Sequence, residues 1–187
     1  MCALTIACGG GGGSSGDTGG TSAGPASSGG DPTEGVLVAL AEPMLWKAVA
    51  AADDPLATHR PATVMCPLGS GWLVEDQGFE VNTQACNYAM FSQPALAAVV
   101  PGARIVGSLY HFDLVSAEPA TAHAALQVGE TLIWEQEIAI PGPANAFTID
   151  VPASFAADAG APVYFHLHNH GQNNWTLGKL EVEAFGG

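Results

Sequence analysis

Through most of this chain, apolar residues recur at every second position for a short run and then stop at Gly, Pro, Asn or Asp. A repeat of two is the period of a β-strand, whose successive side chains point to opposite faces. Ala122 to Val128 and Thr131 to Ile140 flank Gly129-Glu130. A glycine placed first in a two-residue loop suits a type II′ hairpin. In the second arm Leu132, Trp134, Ile138 and Ile140 share one parity, and Glu135 and Glu137 take the other. Pro141-Gly142-Pro143 then closes the arm.

The same reading extends along the chain. Gly78 to Tyr88 puts Phe79, Val81 and Thr83 on one parity, and Arg104 to Leu114 does so with Val106, Tyr110, Phe112 and Leu114. Ala146 to Val151, Pro162 to His170 and Thr176 to Phe185 follow, and in the last of these Leu180 and Val182 point inward while Lys179, Glu181 and Glu183 point outward. Short strands at this spacing predict an all-β fold, a single β-sandwich of the jelly-roll kind. Glu42 to Ala52 and Phe155 to Ala159 read as short helices, and Ala95 to Val100 as either a helical turn or a strand.

Before the strands comes a tract of different character. Residues 9–35 are nearly all Gly, Ser, Thr, Ala, Pro and Asp. Such a segment cannot bury enough apolar surface to offset its ordering entropy, so it reads as a disordered linker. Residues 36–187 remain, enough for one domain with its own core. Eighteen acidic residues face four basic ones, a formal net charge of −14. Nucleic-acid binding needs a basic footprint, so that class is excluded as a partner. No apolar run approaches the roughly 20 residues of a membrane helix.

Ala3-Leu4-Thr5-Ile6-Ala7 stands ahead of Cys8, and the flexible tract follows it. This order resembles the maturation site of bacterial lipoproteins. Only seven residues precede Cys8, and none is basic. The resemblance implies that residues 1–8 are a signal ending at Cys8, that Cys8 is acylated and inserted in a lipid bilayer, and that the domain sits in an oxidising compartment of the cell envelope. Cys66 and Cys86 are the only cysteines of the domain. In an exported protein they read as one disulfide. Closing a ring of about 20 residues is worth on the order of 3 kcal/mol. The alternatives, a thiolate metal site or a nucleophile, lack their usual spacing.

The residues richest in chemistry lie near the C-terminus. In Tyr164-Phe165-His166-Leu167-His168-Asn169-His170, strand parity turns Val163, Phe165 and Leu167 inward and Tyr164, His166, His168 and His170 to the other face. A His-x-His pair on a strand can give two imidazole nitrogens to one metal, with a third ligand from His111, Asp113 or His123. Imidazole ligation suits zinc or copper better than calcium. The cupin pattern, in which a glutamate follows the histidines, is absent: Gly171, Gln172, Asn173, Asn174 and Trp175 stand there. The competing structural reading is a set of hydrogen-bonded histidines that bind nothing.

The loop Asn169, Gly171, Gln172, Asn173, Asn174, Trp175 offers a second chemistry, since amides hydrogen-bond sugar hydroxyls and an exposed indole stacks on a pyranose. Size, strand pattern and loop together resemble galactose-binding-like and carbohydrate-binding-module sandwiches, which implies glycan binding at Asn169, Gln172, Asn173, Asn174 and Trp175. The alternative is that Trp175 is a core residue after a polar turn. Enzymatic signals are weak. Gly69-Ser70-Gly71 lacks the spacing of a nucleophile elbow, Asp53-Asp54-Pro55 reads as a turn and His59-Arg60-Pro61 as a loop. The expectation is therefore a membrane-tethered, exported, non-enzymatic binding protein for a glycan or other small ligand. A zinc or copper protein or metalloenzyme is the first alternative, and a structural envelope protein the second.

Overall fold

The computed structural model describes residues 35–185, apart from Gln77 and His170. Cys8, the linker before the domain and His170 thus lie outside the described residues. Among the described residues, eleven strands carry the fold: β1 (Val36–Ala41), β2 (Lys47–Ala48), β3 (Trp72–Glu75), β4 (Gly78–Asn82), β5 (Tyr88–Pro94), β6 (Arg104–His111), β7 (Ala120–Val128), β8 (Thr131–Ile140), β9 (Asn145–Pro152), β10 (Pro162–His168) and β11 (Asn174–Ala184). They form two antiparallel sheets, the sandwich that the alternation predicts. One runs β3-β4-β11-β6-β9, with β1 also paired to β11; the other runs β2-β5-β10-β7-β8.

The core lies between the sheets. Phe79, Val81, Phe91, Ile105, Leu109, Ile149, Val163, Phe165 and Leu177 are all buried. Phe79 meets Phe91 edge to face, with ring centroids 4.8 Å apart. The β7–β8 hairpin turns at Gly129-Glu130 with Gly129 at φ +57°, the left-handed value its place in the loop requires. Cys66 is bonded to Cys86, a pairing that belongs to an oxidising compartment. Among the described residues, no helix is long and apolar enough to cross a membrane.

Five local expectations need correction. Glu42–Ala52 and Phe155–Ala159 are not helices. The first breaks into single turns at Pro43–Leu45 and Ala51–Asp53 around β2, and the second passes through a bridge between Val99 and Ala157. A bulge in the β7–β8 pairing leaves Ile133 unpaired between Leu126↔Trp134 and Gln127↔Leu132. An extra residue reverses the alternation, so Ile133 is buried and Leu132 is exposed. In β6 the opposite parity packs inward, with Ile105, Leu109 and His111 buried while Tyr110 and Phe112 are exposed. Lastly, Gly78 to Tyr88 is two strands, since a turn at Thr83–Asn87 carries the chain from one sheet to the other.

Candidate metal centre

The loop expected to meet a sugar is tied down by its own side chains. Asn169 Nδ2 donates to Thr83 Oγ1 and to Asn173 Oδ1, both at 3.0 Å, and Asn169 Oδ1 accepts from the Gly171 amide at 2.9 Å. Asn174 Nδ2 donates to Glu80 Oε1 at 3.0 Å. Gln172 is exposed, and its backbone N–H donates to Val115 O. Trp175 has 0% exposure and packs 4.3 Å from the His111 ring. An indole closed between two sheets offers no face to a pyranose, so Trp175 is a core residue and the amides around it hold the turn.

Two of the expected metal ligands are also elsewhere. His111, on the inward parity of β6, donates through Nδ1 to the Phe112 carbonyl, 2.8 Å away. Asp113 Oδ1 accepts from the Ala144 amide at 2.8 Å. His111 ends β6 and Asp113 lies in the loop after it, whereas His166 lies on the outer face of the other sheet. His168 is on that outer face as well, with its ring 5.8 Å from Tyr88.

The structure gathers a different set around His166. Nitrogens of His59, His123 and His166 all lie within 4.8 Å of one another. His166 comes from the middle of β10 and His123 from β7, two strands paired in register (His168↔His123, His166↔Ala125). His59 comes from a single turn, Ala57–His59, in the segment linking β2 to β3. Its ring stacks on His123 at 4.1 Å with 10° between the planes, and lies 5.6 Å from His166.

The segment carrying His59 is irregular, yet it is pinned at several points to the start of β5. Asp54 Oδ2 accepts from Tyr88 Oη at 2.6 Å and from Arg60 Nη1 at 2.9 Å, and the Arg60 guanidinium lies 5.2 Å from the centre of the Tyr88 ring. Asn87 Nδ2 donates to Thr63 O while Asn87 Oδ1 accepts from the Met65 amide. The Cys66–Cys86 bond follows immediately. An Asp buried with its Arg and Tyr partners thus fixes the turn next to it, which is how a loop histidine comes to lie over a strand histidine.

The chemistry of the three imidazoles follows from their surroundings. His123 Nε2 lies 2.7 Å from Glu135 Oε1. An ionised carboxylate only accepts, so Nε2 carries the proton and the lone pair of a neutral ring is on Nδ1. That Nδ1 is buried without a hydrogen-bond partner, as are both nitrogens of His166. Leaving a buried polar atom unsatisfied costs about 1–3 kcal/mol. Burial, reinforced by the neighbouring His123, His59 and His168, pulls the His166 pKa down to about 3, against the weak opposing contact of the Ala89 backbone, which falls short of hydrogen-bond geometry. His166 is therefore neutral at neutral pH. Neutral imidazole is the form a transition metal takes as a ligand, and nitrogens of all three rings are close enough to share one. In a tetrahedral site with bonds of about 2.0–2.1 Å the nitrogens stand roughly 3.4 Å apart, so rings at the 4.8 Å limit need to close by about 1.4 Å. The carboxylate behind His123 supplies the outer partner that metal-bound histidines usually have.

No protein-family model matches the chain, and no curated protein does. Several solved structures are similar in fold. A family 4 carbohydrate-binding module has 16% identity and a TM-score of 0.43, covering 81% of this chain and 96% of that one. A family 61 module in complex with β-1,4-galactotriose has 8% identity and a TM-score of 0.40, covering 75% and 89%. The K1 cleaved adhesin domain of Lys-gingipain from Porphyromonas gingivalis W83 has 16% identity and a TM-score of 0.42, covering 81% and 98%. Scores of this size assign the chain neither a family nor a ligand.

Proposed function

We propose that this protein is an exported β-sandwich that binds a divalent transition metal, zinc or copper, through His59, His123 and His166. One observation carries the proposal: three imidazoles converge, and His123 Nδ1 and both His166 nitrogens are buried there without partners. Protein purified without chelator is expected to hold about one zinc or copper per chain, measured by elemental analysis. Metal-free protein that takes up neither ion on dialysis ends the proposal. The tether is part of the same picture, with an acylated Cys8 holding the domain at a bilayer. Mass spectrometry of the native N-terminal peptide checks it, and an unacylated Cys8 removes it.

Glycan recognition has support from a different surface. On the outer face of the β6 sheet, a cleft of about 230 Å³ is lined by Glu75, Glu80, Tyr110 and Thr176, among others. Tyr110 is 40% exposed, and Asn174 reaches the cleft through its bond to Glu80. Burial, and next the charge of Glu75, raises the Glu80 pKa while the Asn174 hydrogen bond opposes the rise. An exposed ring beside carboxylate and hydroxyl groups suits a sugar. On this reading Tyr110, not Trp175, is the stacking residue. Tyr110→Ala should weaken retention in polysaccharide-containing gels about tenfold, the equivalent of roughly 1.4 kcal/mol. Unchanged mobility of the wild-type chain in every such gel dismisses this reading and leaves the metal centre untouched.

A further inference from the structure

Resting on the metal reading, we infer that the centre keeps one coordination position open to an exchangeable small ligand: water at rest, or a singly charged anion that replaces it. Among the described residues, the group of His, Cys, Asp and Glu donors that converges here stops at three. Zinc in a structural role is closed by four protein ligands, while three protein ligands and one exchangeable position mark a reactive centre.

Two nearby groups that might close the shell, Glu135 and Tyr88, are turned away from it. Glu135 bonds to Nε2 of His123, on the side of the ring away from Nδ1, so it cannot share a metal held by Nδ1. Tyr88 stands with its ring 5.0 Å from His166, but its hydroxyl donates to Asp54.

Exposure varies across the cluster: His166 is 0% exposed and the His123 side chain 8%, while His59 is half-buried and the Glu135 side chain 47% exposed. On the β8 side the cluster is flanked by Glu135 and Glu137, which β7–β8 pairing places opposite Ala125 and His123. Two carboxylates on that side repel multiply charged anions. The position suits water, hydroxide or azide, and disfavours phosphate.

The test uses the full chain loaded with cobalt(II), whose visible bands report coordination. Azide is expected to shift those bands with saturation at one azide per cobalt, and phosphate at the same concentration to leave them unchanged. Cobalt spectra that resist azide overturn this inference, because the chain then supplies a fourth ligand of its own. An equal response to azide and phosphate overturns the charge selection. Failure of cobalt to bind in the wild type, or its undiminished binding in His123→Ala/His166→Ala, counts instead against the three-histidine centre.

Discussion

Saturating zinc raises the thermal midpoint of the metal-free protein by roughly 8–16 °C. A ligand at a thousand times its dissociation constant stabilises the folded state by about 4 kcal/mol. In a domain of this size each kcal/mol moves the midpoint by about 2–4 °C. The informative variant is His166→Leu. His166 is fully enclosed and brings two nitrogens with no partner into the sheet face. Replacing an unsatisfied polar group by an apolar one of similar size is nearly neutral or stabilising. Metal-free His166→Leu should therefore melt at or above the wild-type midpoint, while the response to zinc disappears. A histidine serving only as a packed, hydrogen-bonded core residue gives the reverse result, with destabilisation and no zinc effect in either protein. Differential scanning calorimetry with and without zinc separates the two. Acid should act in the same direction as chelation. Since the folded-state pKa of His166 lies below its unfolded value, stability is complete above about pH 6.5 and declines as pH falls toward 3.

Trp175→Ala is expected to lower the midpoint by roughly 6–20 °C, from the 3–5 kcal/mol typical of removing a large buried aromatic side chain. Trp175 lies in β11 opposite Val81 of β4 and His111 of β6, and it is enclosed on both sides. The loss should appear in melting alone, with zinc still binding the folded fraction at one per chain. A variant that melts with the wild type and loses a ligand instead would falsify the assignment of Trp175 to the core.

The architecture was legible because strand alternation is a local signal. The β7–β8 hairpin, its glycine turn and the inward set Val163, Phe165, Leu167 could be read from spacing alone. Parity failed where one extra residue or one unmarked choice decided it. The bulge at Ile133 follows from pairing with Leu126 and Gln127, which no pattern within β8 announces. In β6 both parities carry apolar residues, so the sequence offered no means of choosing Ile105 and Leu109 over Val106 and Tyr110. That choice also removed His111 from the outer face.

The candidate site was partly legible for the same reason. His166 was marked by its strand parity, and His123 stood among the possible third ligands. His59 was not legible, because it arrives from an irregular segment whose place depends on Asp54, Arg60 and Tyr88 meeting across the fold. An Asp and an Arg six residues apart around a histidine are a faint signal in sequence, and the turn they support gains its meaning only beside β10. The loop Asn169–Trp175 misled in the opposite sense. Amides beside an indole look alike whether they face a sugar or fasten a turn, and only burial of the ring distinguishes the two.

X-ray absorption at the zinc edge of the loaded, full-length protein tests the central claim most directly. The account predicts three imidazole nitrogens at about 2.0–2.1 Å, with one light oxygen or nitrogen donor completing the shell. A shell of oxygens without imidazole scattering, or sulfur at about 2.3 Å, would contradict it.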